Sequence, residues 1–350
     1  VTQRAKIVAA IVAGVVIFAV AIFVLVGGRD AISKLPGIGR LVDKPKTCAL
    51  TGKKPSSDKL LTRPAVAVKV ENNPLAYPLS GLEKADLVFE EEVEGGLSRF
   101  MAIYDCSDAA KVGPVRSARV VDPDIMRPIT RILADAGSNA IVDKALAKAH
   151  IVVIDELNAG SAMRRVARAG ISSEHTLYAN TAALRKLGQK HFHQPPPDNI
   201  FKFGDLQKFA SKKARSITIN FSSGNVAGYK WAHGRWQRTQ GGSPMIAESG
   251  HQIAADNVLI EEHTVNYSKT ITDVLGNPST EIANVTGSGR AVLFRDGRAI
   301  KGRWSRKRVT DPVHLTTKSG DEMQLKPGTV WVELVPSNKG DVKGSFSFAK

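Results

Sequence analysis

LVFEEEVEGGLSRFMAIYDCSDAAKVGPVRSARVVDPDIMR, residues 87–127, sets two short apolar runs around Gly95-Gly96, then a Gly113-Pro114 turn, then a helical start at Asp122 or Pro123. Short runs rich in β-branched and aromatic residues, bounded by turn formers, read as strands. The stretch therefore predicts strands over 85–91 and 99–104, joined by the glycine pair. After the Gly-Pro turn, Ile125, Met126, Ile129, Ile132 and Leu133 fall on one face of a helix, whose first turn can hold Pro128 if it begins at Arg127. Moving outward, 65–70 reads as a buried strand stopped by Glu71-Asn72-Asn73-Pro74. Residues 140–149 read as a helix, 151–154 as a strand buried on both faces, and Arg164, Arg165 and Arg168 as a polar turn or short helix. A further helix over 181–187 is capped by Asn180. Strands alternating with helices make residues 61–194 an α/β (α+β) domain.

Three consecutive prolines, Pro195 to Pro197, enforce a stiff extended segment without amide donors and open a linker over 195–215. Beyond it the texture changes: 216–221, 229–238, 258–265, 290–294, 299–304 and 329–335 are strand-like, and Asp296-Gly297 is a hairpin signal between two of them. Residues 216–340 thus form a mostly antiparallel β domain, with 341–350 as a tail. Trp231, Trp236 and Trp304 stand in strands that also carry Arg235, Arg238 and Arg303. Such pairs can grip sugars or anions, but burial in a small β core is the commoner use of tryptophan.

A net charge of +16 favours anionic partners. Residues 7–26, IVAAIVAGVVIFAVAIFVLV, are apolar throughout; about 20 residues at ~1.5 Å each match a hydrocarbon core of ~30 Å. This predicts a transmembrane helix after a cytoplasmic tail over 1–6, with a juxtamembrane linker over 27–60. A cleaved signal peptide, the competing possibility, has a shorter apolar part of about 7–15 residues and a small-x-small site. The expected location is the cell membrane, single-pass, with the bulk of the chain extracytoplasmic. Nucleic acid is then disfavoured as a partner, and an anionic cell-wall polymer or envelope protein is favoured. In that compartment Cys48 and Cys106 are candidates for a disulfide, two unpaired thiols being the alternative.

The charges of residues 87–127 are too dense for an ordinary core. If the strand ran on, Glu90, Glu92 and Glu94 would share a face and need arginine, a cation or protonation to relieve them. Arg99, Arg116, Arg119 and Arg127 could supply that relief. The outcome is an ion-pair network, a solvated acidic edge, or a site in which Glu90, Glu92, Glu94, Asp122 or Asp124 acts as acid or base. Arg116, Ser117 and Arg119 on the Gly-Pro turn make a plausible cradle for phosphate or carboxylate. His175, after Ser172-Ser173-Glu174, is a possible base, though sequence neighbours seldom meet in catalytic geometry. The pair His191 and His193 lacks further ligands, and no HExxH, phosphate-binding loop, GxSxG or dinucleotide motif occurs. No cofactor or metal is expected on these grounds.

RPAVAVKVENNPLAYPLSGLEKADLVFEEEVEGGLSRFMAIY, VGPVRSARVVDPDIMRPI, VLFRDGRAIKGRW and LKPGTVWVELVP closely resemble the YerB-like bacterial lipoproteins over roughly residues 48–336. The Gly-Pro-Val-Arg-Ser-Ala-Arg string is the most specific part. The resemblance implies two domains and attachment to the cell envelope, and brings no established activity. This chain departs from the lipoprotein pattern in having an apolar helix where a lipobox would stand.

Two functions fit. In the first, the ectodomain binds an anionic envelope component or partner through Arg116, Arg119 and Arg127, helped by the basic segment 301–308. In the second, a hydrolase or transferase uses Glu90, Glu92 or Asp122 as acid or base. A calcium-dependent scaffold built on Glu90, Glu92 and Glu94 is a third, lesser possibility.

Overall fold

The computed structural model describes residues 46–206, 211–273, 276–283 and 285–350. The expected membrane helix over 7–26 lies outside them, and among the described residues no helix is long and apolar enough to cross a membrane.

In the N-terminal region, β1 (Val66–Asn72), β2 (Leu87–Glu92) and β3 (Ser98–Tyr104) are followed by α1 (Asp122–Met126), β4 (Ile132–Ala134), α2 (Ala140–Lys148) and β5 (Val152–Ile154). A hairpin of β6 (Met163–Arg165) and β7 (Leu177–Ala179) then leads into α3 (Thr181–Gly188). The C-terminal region contributes β8 (Ser211–Lys213), β9 (Ser216–Ser222), β10 (Asn225–Ala232), β11 (Arg235–Gln240), β12 (Ser243–Pro244) and β13 (Ala254–Ala255). It continues with β14 (Asn257–His263), β15 (Val265–Thr272), β16 (Pro278–Ile282), β17 (Gly287–Arg295), β18 (Arg298–Arg306), β19 (His314–Thr317), β20 (Val330–Pro336) and β21 (Ser345–Ala349).

An 11-stranded sheet in the order β19-β18-β17-β14-β20-β2-β3-β1-β4-β5, with β8 on β18, crosses the proline boundary. The crossing is the parallel pairing of β2 with β20, where Leu87 lies opposite Val330 and Glu90 opposite Glu333. A six-stranded sheet, β12-β11-β10-β9-β21 with β13 on β11, covers one face. Its Ile217, Ile219, Phe221 and Trp236 share a core with Val66, Val68, Phe100 and Trp331. The other face, carrying Leu87, Met101, Ile103, Val332 and Leu334, is covered by α1 and α2 through Ile125, Met126, Val142 and Leu146. The N-terminal region is thus mixed and the C-terminal region mainly antiparallel, but one sheet serves both.

Several local expectations change. The helix stops at Met126, because Arg127 caps it and Pro128 cannot donate to continue the ladder. Ile132, Leu133 and Ala134 instead form β4, parallel to β1; a short apolar run fits either period. Residues 152–154 are an edge strand paired, among the described residues, only to β4, so that Val152 and Val153 are partly exposed, rather than buried on both faces, while Ile154 is buried. Arg164 and Arg165 lie in β6. The strand expected over 229–238 is cut by His233-Gly234, both at positive φ (53° and 73°), into β10 and β11. Asp296-Gly297 makes the same kind of turn between β17 and β18. Asn180 caps α3 by accepting from the Ala183 amide.

Segments read as tethers are docked. Leu50 is fully buried, and a Cβ on Gly52 would meet Phe203 at 2.4 Å. Within the linker, Ile200 and Phe201 are buried and β8 pairs with β18. The tail supplies β21, paired with β9. Trp236, Trp304 and Trp331 are core residues, while Trp231 is half-buried against Trp236, their rings 5.1 Å apart.

Cys48 and Cys106 form a disulfide closing 58 residues of chain separation. Such a loop lowers unfolded-state entropy by the equivalent of about 4 kcal/mol. Cys48→Ser with Cys106→Ser is expected to lower the unfolding free energy by about that amount in urea titration, with no loss of the folded baseline.

Candidate functional site

Strand β2 carries charge to both faces of the large sheet, because successive side chains alternate. Toward the six-stranded sheet, Glu90 accepts from Arg238 Nη2 at 2.7 Å, Ser98 Oγ at 2.6 Å and Asn72 Nδ2 at 3.1 Å. Glu333, opposite Glu90 on β20, accepts from the Tyr229 hydroxyl. Glu90, Glu333 and Arg238 are wholly buried. Burial, and the charge of Glu90 beside it, hold the Glu333 carboxyl well above the usual range. The Arg238 guanidinium lies 5.2 Å from the Tyr229 ring centre and 5.7 Å from that of Trp331.

On the opposite face, Lys69 bridges Glu91 and Asp122, the latter at 2.6 Å. All three are buried, and burial, with Asp122 acting in the same direction, pushes Glu91 up to about 7 against the pull of Lys69. Asp122 also accepts from the Arg119 amide at 2.6 Å, fixing the start of α1. The string before it is stitched into place. Glu71 N donates to Pro114 O, Arg116 N to Lys69 O, and Val115 N to Leu177 O, so the segment runs between β1 and β7. At Gly113, with φ of 143°, a Cβ would stand 2.8 Å from Leu177 O.

This seating gathers three guanidiniums. Arg116 Nε lies 3.3 Å from Glu71, whose other oxygen contacts His175 Nδ1 at 2.7 Å. Arg119 pairs with Glu94, which also accepts from Ser279 Oγ at 2.6 Å. Arg99 donates to the Ser117 carbonyl at 3.0 Å and, among the described residues, enters no ion pair with a carboxylate. Burial lowers Arg99 to about 9; the nearby charge of Arg119 adds to that effect, that of Glu94 opposes it, and Arg116 and Glu71 add and oppose in turn. Three partly buried cations held together in this way form a ledge that an anion would relieve.

The glutamates do not converge. Glu90 and Glu92 share a face, but the strand ends at Glu92, and the turn at Glu94–Gly96 sends Glu94 to Arg119. A calcium cage of Glu90, Glu92 and Glu94 is therefore not formed, and among the described residues no group of three metal-ligating side chains gathers. His175 is buried against Glu71. Arg127 stands apart with Asp124 and Arg306, its buried Nε unpartnered. Of the basic segment, Arg306 bonds the carbonyls of Asp124 and Asp311, Arg308 pairs with Asp311, and Arg303 stays exposed. Lys69, Glu71, Tyr229 and Glu333 went unrecognised as site residues in the sequence, and Arg238 was singled out only beside the tryptophans. A lysine inside AVAVKV and a glutamate inside VWVELV were the available signals, since a charge in a buried strand needs a partner.

Glu92 is 7% exposed, and its buried Oε2 has no hydrogen-bond partner among the described residues. Burial pushes it from 4.5 to about 8. The folded state then binds the proton more tightly than the unfolded state, so stability is lost as pH rises from about 5 to about 8. Glu92→Gln is expected to reduce that loss by about 1–3 kcal/mol, as checked by urea unfolding at both pH values. An unchanged pH slope would contradict the assignment.

Residues 50–193 match the family described as "Protein of unknown function (DUF3048) N-terminal domain", and residues 217–332 match its C-terminal domain. The lipoprotein YerB of Bacillus subtilis (strain 168) is 28% identical over 295 residues, covering 82% of this chain and 85% of its own. The crystal structure of YerB from Bacillus subtilis shares the fold with a TM-score of 0.70 at 24% identity, covering 86% of this chain and 99% of that one. The chain belongs to this YerB-like, DUF3048 family.

Proposed function

We propose that this chain is a membrane-anchored, extracytoplasmic binding protein that engages an anionic cell-envelope component through the ledge of Arg99, Arg116, Ser117 and Arg119. The convergence of three guanidiniums, one of which enters no ion pair with a carboxylate among the described residues, carries this reading. Its location is supported by the Cys48–Cys106 disulfide, by the apolar run at residues 7–26 and by a relative whose name marks it as a lipoprotein.

Acid-base catalysis is less well supported. Glu90 and Asp122 are buried and engaged by Arg238 or Lys69, as is Glu91, and Glu92, though its pKa is raised, is buried too. Glu94 is held by Arg119.

Arg99→Gln removes a cation without stranding a carboxylate. With the full chain in detergent micelles over an immobilised anionic wall polymer, the variant is expected to bind about tenfold more weakly with an unchanged melting temperature. Unchanged affinity in a folded Arg99→Gln protein would count against the ledge.

A further inference from the structure

The register of β17 and β18 sets Arg290 directly opposite Arg303. Like charges facing each other across an antiparallel pair are destabilising, and both side chains are exposed. Glu262, from neighbouring β14, reaches Arg290 at 3.2 Å. Arg303 has no carboxylate partner among the described residues and donates to Ser288 Oγ at 2.8 Å. The Arg290 guanidinium sits 4.5 Å from the centre of the Phe346 ring on β21.

These side chains line an open groove of about 650 Å³, closed on its other side by Ser337, Asn338 and Lys339 after β20. Three cations thus face a single carboxylate, Glu262, amid hydroxyl and amide groups. The wall is fixed. Trp304 Nε1 donates to Glu262 O at 3.0 Å, its ring stacks on His263 at 4.4 Å, and a Cβ on Gly289 would meet Trp304 at 2.3 Å.

We infer that this groove binds a phosphate ester of a hydroxyl-rich compound, a polyol phosphate or sugar phosphate. Two guanidiniums on one face offer the forked donors that suit phosphate, and Lys339 adds a point charge. Ser288, Ser337 and Asn338 can bond hydroxyls of the remainder. The site uses none of Arg99, Arg116 or Arg119, so it stands or falls independently of the ledge.

Calorimetric titration of the full chain in detergent micelles with sn-glycerol 3-phosphate tests this, with inorganic phosphate and glycerol as the comparison ligands. Glycerol phosphate is expected to bind more tightly than either. Arg303→Gln should weaken it about tenfold at unchanged melting temperature, Arg303→Lys should weaken it less, and Arg99→Gln should leave it unaltered. No binding, equal affinity for inorganic phosphate, or full binding by folded Arg303→Gln would overturn the inference. Loss of binding in Arg99→Gln alone would overturn it too, placing the ligand on the ledge.

Discussion

A guanidinium with no access to water, Arg238, held by Glu90 and set beside the buried Glu333, is the constraint on which the remaining structure depends. Removing ions from water costs several kcal/mol each unless they are paired and hydrogen-bonded. Here the pairing is long-range: Arg238 lies 148 residues from Glu90, on the other sheet. The charge can be accommodated only when β2, β20 and the six-stranded sheet are all in place. The network therefore ties the two regions together across both sheets, in a place where apolar residues of like shape are often tolerated.

That arrangement determines what the acidic run can do. Its alternation sends Glu90 and Glu92 to one side and Glu91 to the other, and the turn after Glu92 sends Glu94 to Arg119. Each of Glu90, Glu91 and Glu94 is matched by a cation. Among the described residues Arg99 and Arg303 enter no ion pair with a carboxylate, and these are the places where we propose that an anion is received. The carboxylates thus hold the frame, and the proposed binding rests on the arginines.

Much of the frame was legible locally. The strands at Val66–Asn72 and Ser98–Tyr104, the Asp296-Gly297 turn and the Asn180 cap each follow from a pattern of a few residues. Residues 132–134 were not, because three apolar residues satisfy a helical face as well as a strand and only the parallel pairing with β1 decides. The joined sheet was illegible for a related reason. Parallel pairing of Leu87 with Val330 leaves no turn signal between them, and the three prolines pointed to a separation. The partners of the buried carboxylates were half-visible: Lys69 stood out as a charge in an apolar strand, whereas nothing near Arg238 marks it as buried.

The central claim is that the buried carboxylates are structural and that the partly buried arginines of the ledge bind. Replacing the network as a unit tests it most directly, with Glu90→Leu, Arg238→Met and Glu333→Leu combined in one chain, since an apolar substitute for a buried ion cluster is often tolerated. Binding of the variant to an anionic wall polymer would be measured alongside its unfolding. The account predicts a folded chain whose affinity stays within about twofold of the parent, a difference of about 0.4 kcal/mol. A well-folded variant that no longer binds would contradict it, because the buried charges would then belong to the site itself.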